Sequence, residues 1–76
     1  MGTMRILDHS GDTAVTWDLD DETALRAARE IFEREAAQSK MAFSRPLGAP
    51  VEQAERIRSF DPTAEEIIWV RPIQGG

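Results

Sequence analysis

Apolar and polar positions alternate with period two near both ends of the chain and recur every three or four residues between them. Near the start, Met4-Arg5-Ile6-Leu7-Asp8 and Thr13-Ala14-Val15-Thr16-Trp17 are β-prone runs. Between them, His9-Ser10-Gly11-Asp12 is a turn cluster of the kind that closes a hairpin. Successive strand side chains point to opposite faces, so Met4 groups with Ile6, and Thr13 and Val15 with Trp17. One apolar sheet face follows. The pattern sets in at Met4, so Met1-Gly2-Thr3 reads as a leader or appended remnant outside the fold.

The stretch from Thr23 to Ala37 has no Gly or Pro and is rich in Ala, Glu and Arg, all good helix formers. Ala24, Leu25, Ala28, Ile31, Phe32 and Glu35/Ala36 follow the spacing of a buried helical stripe. Asp20 or Asp21 can accept the unpaired N–H groups of the first turn. Glu22, Arg26, Glu30 and Arg34 form a ladder of alternating charge on the opposite side, read as a solvated face.

Beyond the helix, Met41-Ala42-Phe43-Ser44-Arg45 alternates as a third strand, and Pro46-Leu47-Gly48-Ala49-Pro50 breaks it. Residues 52–58 suit either a short helix or an edge strand with outward charges, and the edge strand is preferred. Asp61-Pro62-Thr63-Ala64 is a turn. Glu66-Ile67-Ile68-Trp69-Val70 reads as the most buried strand, apolar on both faces.

Hairpin, helix, strand, weak strand, strand is an α+β order. A helix laid across one face of a mixed four- to five-stranded sheet is the β-grasp arrangement. It buries Ile6, Val15, Trp17, Leu25, Ala28, Phe32 and Ile67 or Trp69 between two layers. A ferredoxin-like split β-α-β unit would need a second full helix, and its only candidate, residues 51–59, is short and bracketed by Pro50 and Pro62. The domain is expected over residues 4–70, with 71–76 as a flexible tail.

Composition narrows the chemistry. A chain of 76 residues buries roughly 60% of its unfolded surface on folding, enough for one thin core and little internal cavity. The absence of Cys excludes disulfides, thiol nucleophiles and cysteine-ligated metals, and the single His9 leaves no histidine-rich metal site. A net charge of −5 argues against sequence-independent nucleic-acid binding. The longest apolar run, Ile67–Val70, is too short to span a membrane. A cytoplasmic monomer that works by being bound, not an enzyme, is the expectation.

Asp8, His9 and Ser10 carry the letters of a catalytic triad, but neighbours in one turn do not converge on a single substrate atom. Glu65 and Glu66 are adjacent at a strand entry and point to opposite faces, which suits no acid/base dyad. Asp18, Asp20 and Asp21 lack the glycine and spacing of a calcium loop. No metal and no cofactor are expected.

The C-terminal residues differ. After the last strand come Arg71-Pro72-Ile73-Gln74-Gly75-Gly76. Pro72 stiffens an extended exit, while Gly75 and Gly76, without Cβ atoms, fit a channel that larger residues would block. A terminal glycine carboxylate is sterically easy to activate by adenylation.

The segment from Glu65 to Gly76 resembles the ending of the sulfur-carrier proteins, namely the molybdopterin-synthase small subunit and the thiamine-pathway sulfur carrier. Ubiquitin, a β-grasp protein that also ends in Gly-Gly, is similar in this respect. The close match covers about twelve residues. Arg71 stands where that ending has its first proline, and Gln74 where it has a small residue.

The resemblance implies a ubiquitin-like β-grasp domain whose Gly76 is activated by an adenylating partner enzyme, for sulfur transfer or protein conjugation. Gly75 and Gly76 would be the activated end, with Arg71, Pro72 and Ile73 as the recognised tail. A conjugating enzyme or target protein is a further implied partner. Asp61, Glu65 and Glu66 are expected to meet a basic enzyme surface. Lys40, the only lysine, is a possible acceptor amine, expected to be exposed just past the helix. The alternative is a non-covalent adaptor that uses its sheet face, where Ile68 and Thr16 lie, or an exposed edge strand.

Overall fold

The computed structural model describes residues 1–8 and 11–71. Strands β1 (Gly2–Asp8), β2 (Gly11–Trp17), β3 (Met41–Arg45), β4 (Glu55–Ile57) and β5 (Glu66–Val70) form one sheet in the order β2-β1-β5-β3-β4. Helix α1 (Glu22–Ala36) connects β2 to β3 and packs on one face. β1 and β5 run parallel and the other pairs antiparallel, so the sheet is mixed. The expected α+β architecture, with one helix and five strands, is present.

Local chemistry explains the helix. The Asp21 side chain accepts from the Ala24 N–H at 3.1 Å, capping the first turn. Ala28, Phe32 and Glu35 are buried, while Ala24, Leu25 and Ile31 are half-buried at the core margin. Glu35, rather than Ala36, occupies the last position of the apolar stripe. The charge ladder is exposed as expected.

From the sheet, Met4, Ile6, Trp17, Ala42, Ile67 and Trp69 fill the other side of the core. Each large apolar side chain so buried contributes about 1.5–3 kcal/mol. Four of the five aromatic residues cluster here. Phe32 packs on Trp69 with ring centroids 4.7 Å apart, and Phe60 meets Trp17 edge-on at 5.0 Å and Phe32 at 6.0 Å. Trp17 satisfies its indole N–H on the Pro62 carbonyl at 3.0 Å, which ties the 61–64 turn to the core.

Two sequence expectations shift. β1 begins at Gly2, so residues 1–3 are not all outside the fold. Thr3 donates its N–H to the Glu65 carbonyl at 3.1 Å, and Gly2 pairs with Trp17. A Cβ on Gly2 would sit 2.2 Å from the Trp17 ring and 2.8 Å from the Ala64 carbonyl oxygen. The close approach demands glycine, a residue that carries no hydrophobic pattern. The hairpin loop is also shorter than the turn cluster, because Gly11 pairs with Asp8 and Asp12 with Leu7. The edge strand preferred for residues 52–58 is present in shorter form as β4, preceded by a single 3-10 turn at Val51–Gln53.

Candidate functional site

β5 lies at the centre of the sheet, between β1 and β3. Its alternation sends Ile67 and Trp69 toward the helix and Glu66, Ile68 and Val70 to the opposite, outer face. Cross-strand register places Arg5 and Phe43 on either side of Ile68, Met41 beside Val70, and Arg56 beside Phe43. Phe43, the one aromatic residue outside the core cluster, thereby joins Arg45, Ala54, Ile68 and Val70 around a groove of about 330 Å³. Thr16 is exposed and Ile68 half-buried, in keeping with the outward orientation read from the alternation.

The electrostatics of this face are set by Glu66, which is only 4% exposed. Arg45 donates to its Oε1 at 2.6 Å, and Arg5 donates to Oε2 at 3.1 Å. The Arg45 hydrogen bond is the main influence holding the Glu66 carboxyl below its ordinary range. Burial opposes it, and Arg5 adds to the lowering. One carboxylate thus pins three strands, β1, β5 and β3, on the outer face.

This geometry corrects the expectation that Asp61, Glu65 and Glu66 together meet a basic partner. Glu66 is enclosed by two arginines. Asp61 is half-buried and uses Oδ1 to accept from the Thr63 N–H at 2.9 Å and hydroxyl at 2.6 Å, closing its own turn. Only Glu65 is exposed, with Oε1 accepting from the Leu47 N–H at 3.4 Å. Around the groove the accessible charge comes instead from Arg5, Arg45 and Arg56, on a chain whose net charge is −5.

Arg71 is exposed and follows β5 directly. Pro72, Ile73, Gly75 and Gly76, which carry the rest of the expected tail, lie outside the described residues, as does His9. Lys40 departs from expectation: its side chain is 7% exposed, and its ammonium donates to Glu35 Oε1 at 2.5 Å. The reason is local. Glu35 sits on the buried stripe of α1 and needs a cation to offset the loss of water.

A further concavity of about 500 Å³ lies at the other end of β5, between Arg45, Gln53, Glu55 and Glu65. Among the described residues, no group of three His, Asp or Glu is placed to hold a metal ion, and no helix is long and apolar enough to cross a membrane. Sequence reading missed the Arg5–Glu66–Arg45 cluster and the groove around Phe43. The alternation of β3 does carry Phe43's orientation, since it must oppose buried Ala42. The outer face therefore offers an apolar groove rimmed by arginines, next to the end of the central strand. Comparison of the chain with protein-family models, with curated proteins and with solved structures finds no match.

Proposed function

We propose that this chain is a ubiquitin-like β-grasp carrier or modifier whose Gly76 carboxylate is activated by an adenylating partner enzyme. The observation that carries the reading is that the central strand β5 ends at Val70, immediately before the sequence Arg-Pro-Ile-Gln-Gly-Gly. The strand order, with one helix over a mixed five-stranded sheet, is consistent with the β-grasp arrangement.

The chemistry requires little of the domain itself. With ATP supplied by the partner, the Gly76 carboxylate attacks the α-phosphorus and pyrophosphate leaves. The resulting acyl-adenylate carbonyl is then attacked by a sulfur donor or an amine, and AMP departs. The absence of Cβ atoms at Gly75 and Gly76 leaves the carbonyl open to both attacks. The domain serves as the handle by which the partner holds the substrate carboxylate, in a cytoplasmic setting and as a monomer.

ATP–pyrophosphate exchange tests this reading. With an adenylating enzyme of the host, exchange is expected to depend on the full chain and to vanish when Gly75 and Gly76 are deleted. Exchange that persists without them overturns the assignment of Gly76.

The groove around Phe43, Ile68 and Val70 favours a second reading, a non-covalent adaptor whose partner supplies apolar side chains and carboxylates facing Arg5 and Arg45. A pull-down separates the two. Binding that survives tail deletion but is lost on Ile68→Glu supports the adaptor alone.

A further inference from the structure

Lys40 is the only lysine in the chain. It follows Ser39, whose left-handed backbone (φ 62°) turns the chain out of the helix end and into β3. The Lys40 amine and its partner Glu35 are both 7% exposed on their side chains. With Phe32, Ala36, Met41 and Trp69, Lys40 lines a narrow cleft of about 160 Å³. A charged amine in such surroundings is held by its partner, because leaving the pair without full hydration is costly.

Its position gives the burial a meaning. Met41 pairs with Val70 across β3 and β5, so Lys40 stands at the end of the sheet where the chain leaves β5. Fully extended, six residues beyond Val70 reach roughly 20 Å, whereas adjacent strands lie about 5 Å apart. In contour length the lysine is within reach of the chain's own Gly76 carboxylate. A neighbouring amine on the same molecule would enjoy a large effective concentration.

We infer that the fold withdraws its only lysine from acyl transfer, so that the activated protein neither acylates its own lysine nor builds lysine-linked chains. The consequence rests on the Gly76 reading above; the withdrawal of Lys40 does not. Amide formation needs a free nitrogen lone pair. The ammonium must lose one proton to solvent or base, and nitrogen then attacks the Gly76 carbonyl carbon. The C–N bond forms, the C–O bond to phosphate breaks with its electrons leaving on AMP, and nitrogen sheds a second proton. In the folded chain that nitrogen is paired with Glu35 on a side chain that is largely buried, which limits its access to an acyl donor. Chains linked through Lys40 are therefore not expected, and the exposed amino group of Met1 is the other amine the chain itself offers.

Competitive acetylation with an N-hydroxysuccinimide ester, mapped by peptide mass spectrometry, tests the inference without any partner enzyme. In the folded protein Lys40 is expected to react at least about tenfold more slowly than in the urea-unfolded chain, as for a group that reacts only through local opening. Glu35→Ala, or Glu35→Gln should the first variant fail to fold by near-ultraviolet circular dichroism, is expected to move the rate toward the unfolded value. Lys40 reacting in the folded wild type as fast as in the unfolded chain overturns the inference and leaves the Gly76 reading intact. Slow acetylation combined with no Gly76-dependent pyrophosphate exchange does the reverse.

Discussion

Replacing Glu66 by Gln keeps the side-chain shape and removes the one charge that holds β1, β5 and β3 together on the outer face. Removing one member of a fully buried ion pair costs about 3–5 kcal/mol. Here the arginines retain water, with side-chain exposures of 50% for Arg5 and 22% for Arg45, so solvent screening lowers the figure. The value appropriate to a hydrogen bond to a charged group remains, about 2–3 kcal/mol, most of it through Arg45. Against a total stability of roughly 4–11 kcal/mol for a chain of this length, the loss is large. It corresponds to a fall in Tm of roughly 10–20 °C.

The pH dependence of the same variant gives an independent check. The folded state lowers the Glu66 pKa below its ordinary value of 4.5. Its stabilisation is therefore fully present above that value and is lost as the pH falls through the lowered folded value. Urea unfolding followed by tryptophan fluorescence should show the full gap between wild type and Glu66→Gln at neutral pH. The gap should narrow in acid, once Glu66 protonates in the wild type. In the Arg45→Met background the same substitution should cost less, because the principal partner is already gone. A gap under about 0.5 kcal/mol at neutral pH, the range of ordinary surface substitutions, would refute the reasoning. So would a gap of unchanged size in acid.

Gly2→Ala should destabilise the domain by about 1–3 kcal/mol, since the new methyl collides with the Trp17 ring and the Ala64 carbonyl. Chemical denaturation measures it, and a neutral outcome would mean that Gly2 and Thr3 do not belong to β1. Phe60→Ala removes the edge-on partner of Trp17 from a half-buried site and should cost about 2–3 kcal/mol, less than the 3–5 typical of a fully buried Phe. A change in the native tryptophan emission should accompany the loss.

The regular elements were legible because their signals are local. The stripe from Ala24 to Phe32 fixed the buried face of α1, the Asp20-Asp21 pair marked its start to within a residue, and the alternation of residues 41–45 marked β3 to the residue. What escaped depends on partners distant in sequence. Glu66 reads as a free acidic residue until Arg5 and Arg45 are brought to it by strand pairing across 61 and 21 positions. Phe60 sits between a weak strand and a turn, in no periodic run, and finds its place only when Trp17 and Phe32 meet it. Gly2 has no side chain with which to signal a strand. Lys40 looked exposed because a lysine after a helix usually is, and only the burial of Glu35 draws it inward. Of the candidate site, the groove was half legible: alternation gives Phe43 and Ile68 their outward direction, but the single helix decides which face stays open.

The central claim is that Gly76 is the point of chemistry. Intact mass spectrometry with fragmentation, after incubation with ATP and an adenylating enzyme of the host, tests it most directly. The account predicts an adenylate, thiocarboxylate or amide mapped to the Gly76 carboxyl and absent from the chain lacking Gly75 and Gly76. An unmodified Gly76 under conditions in which the enzyme activates its other substrates would contradict it.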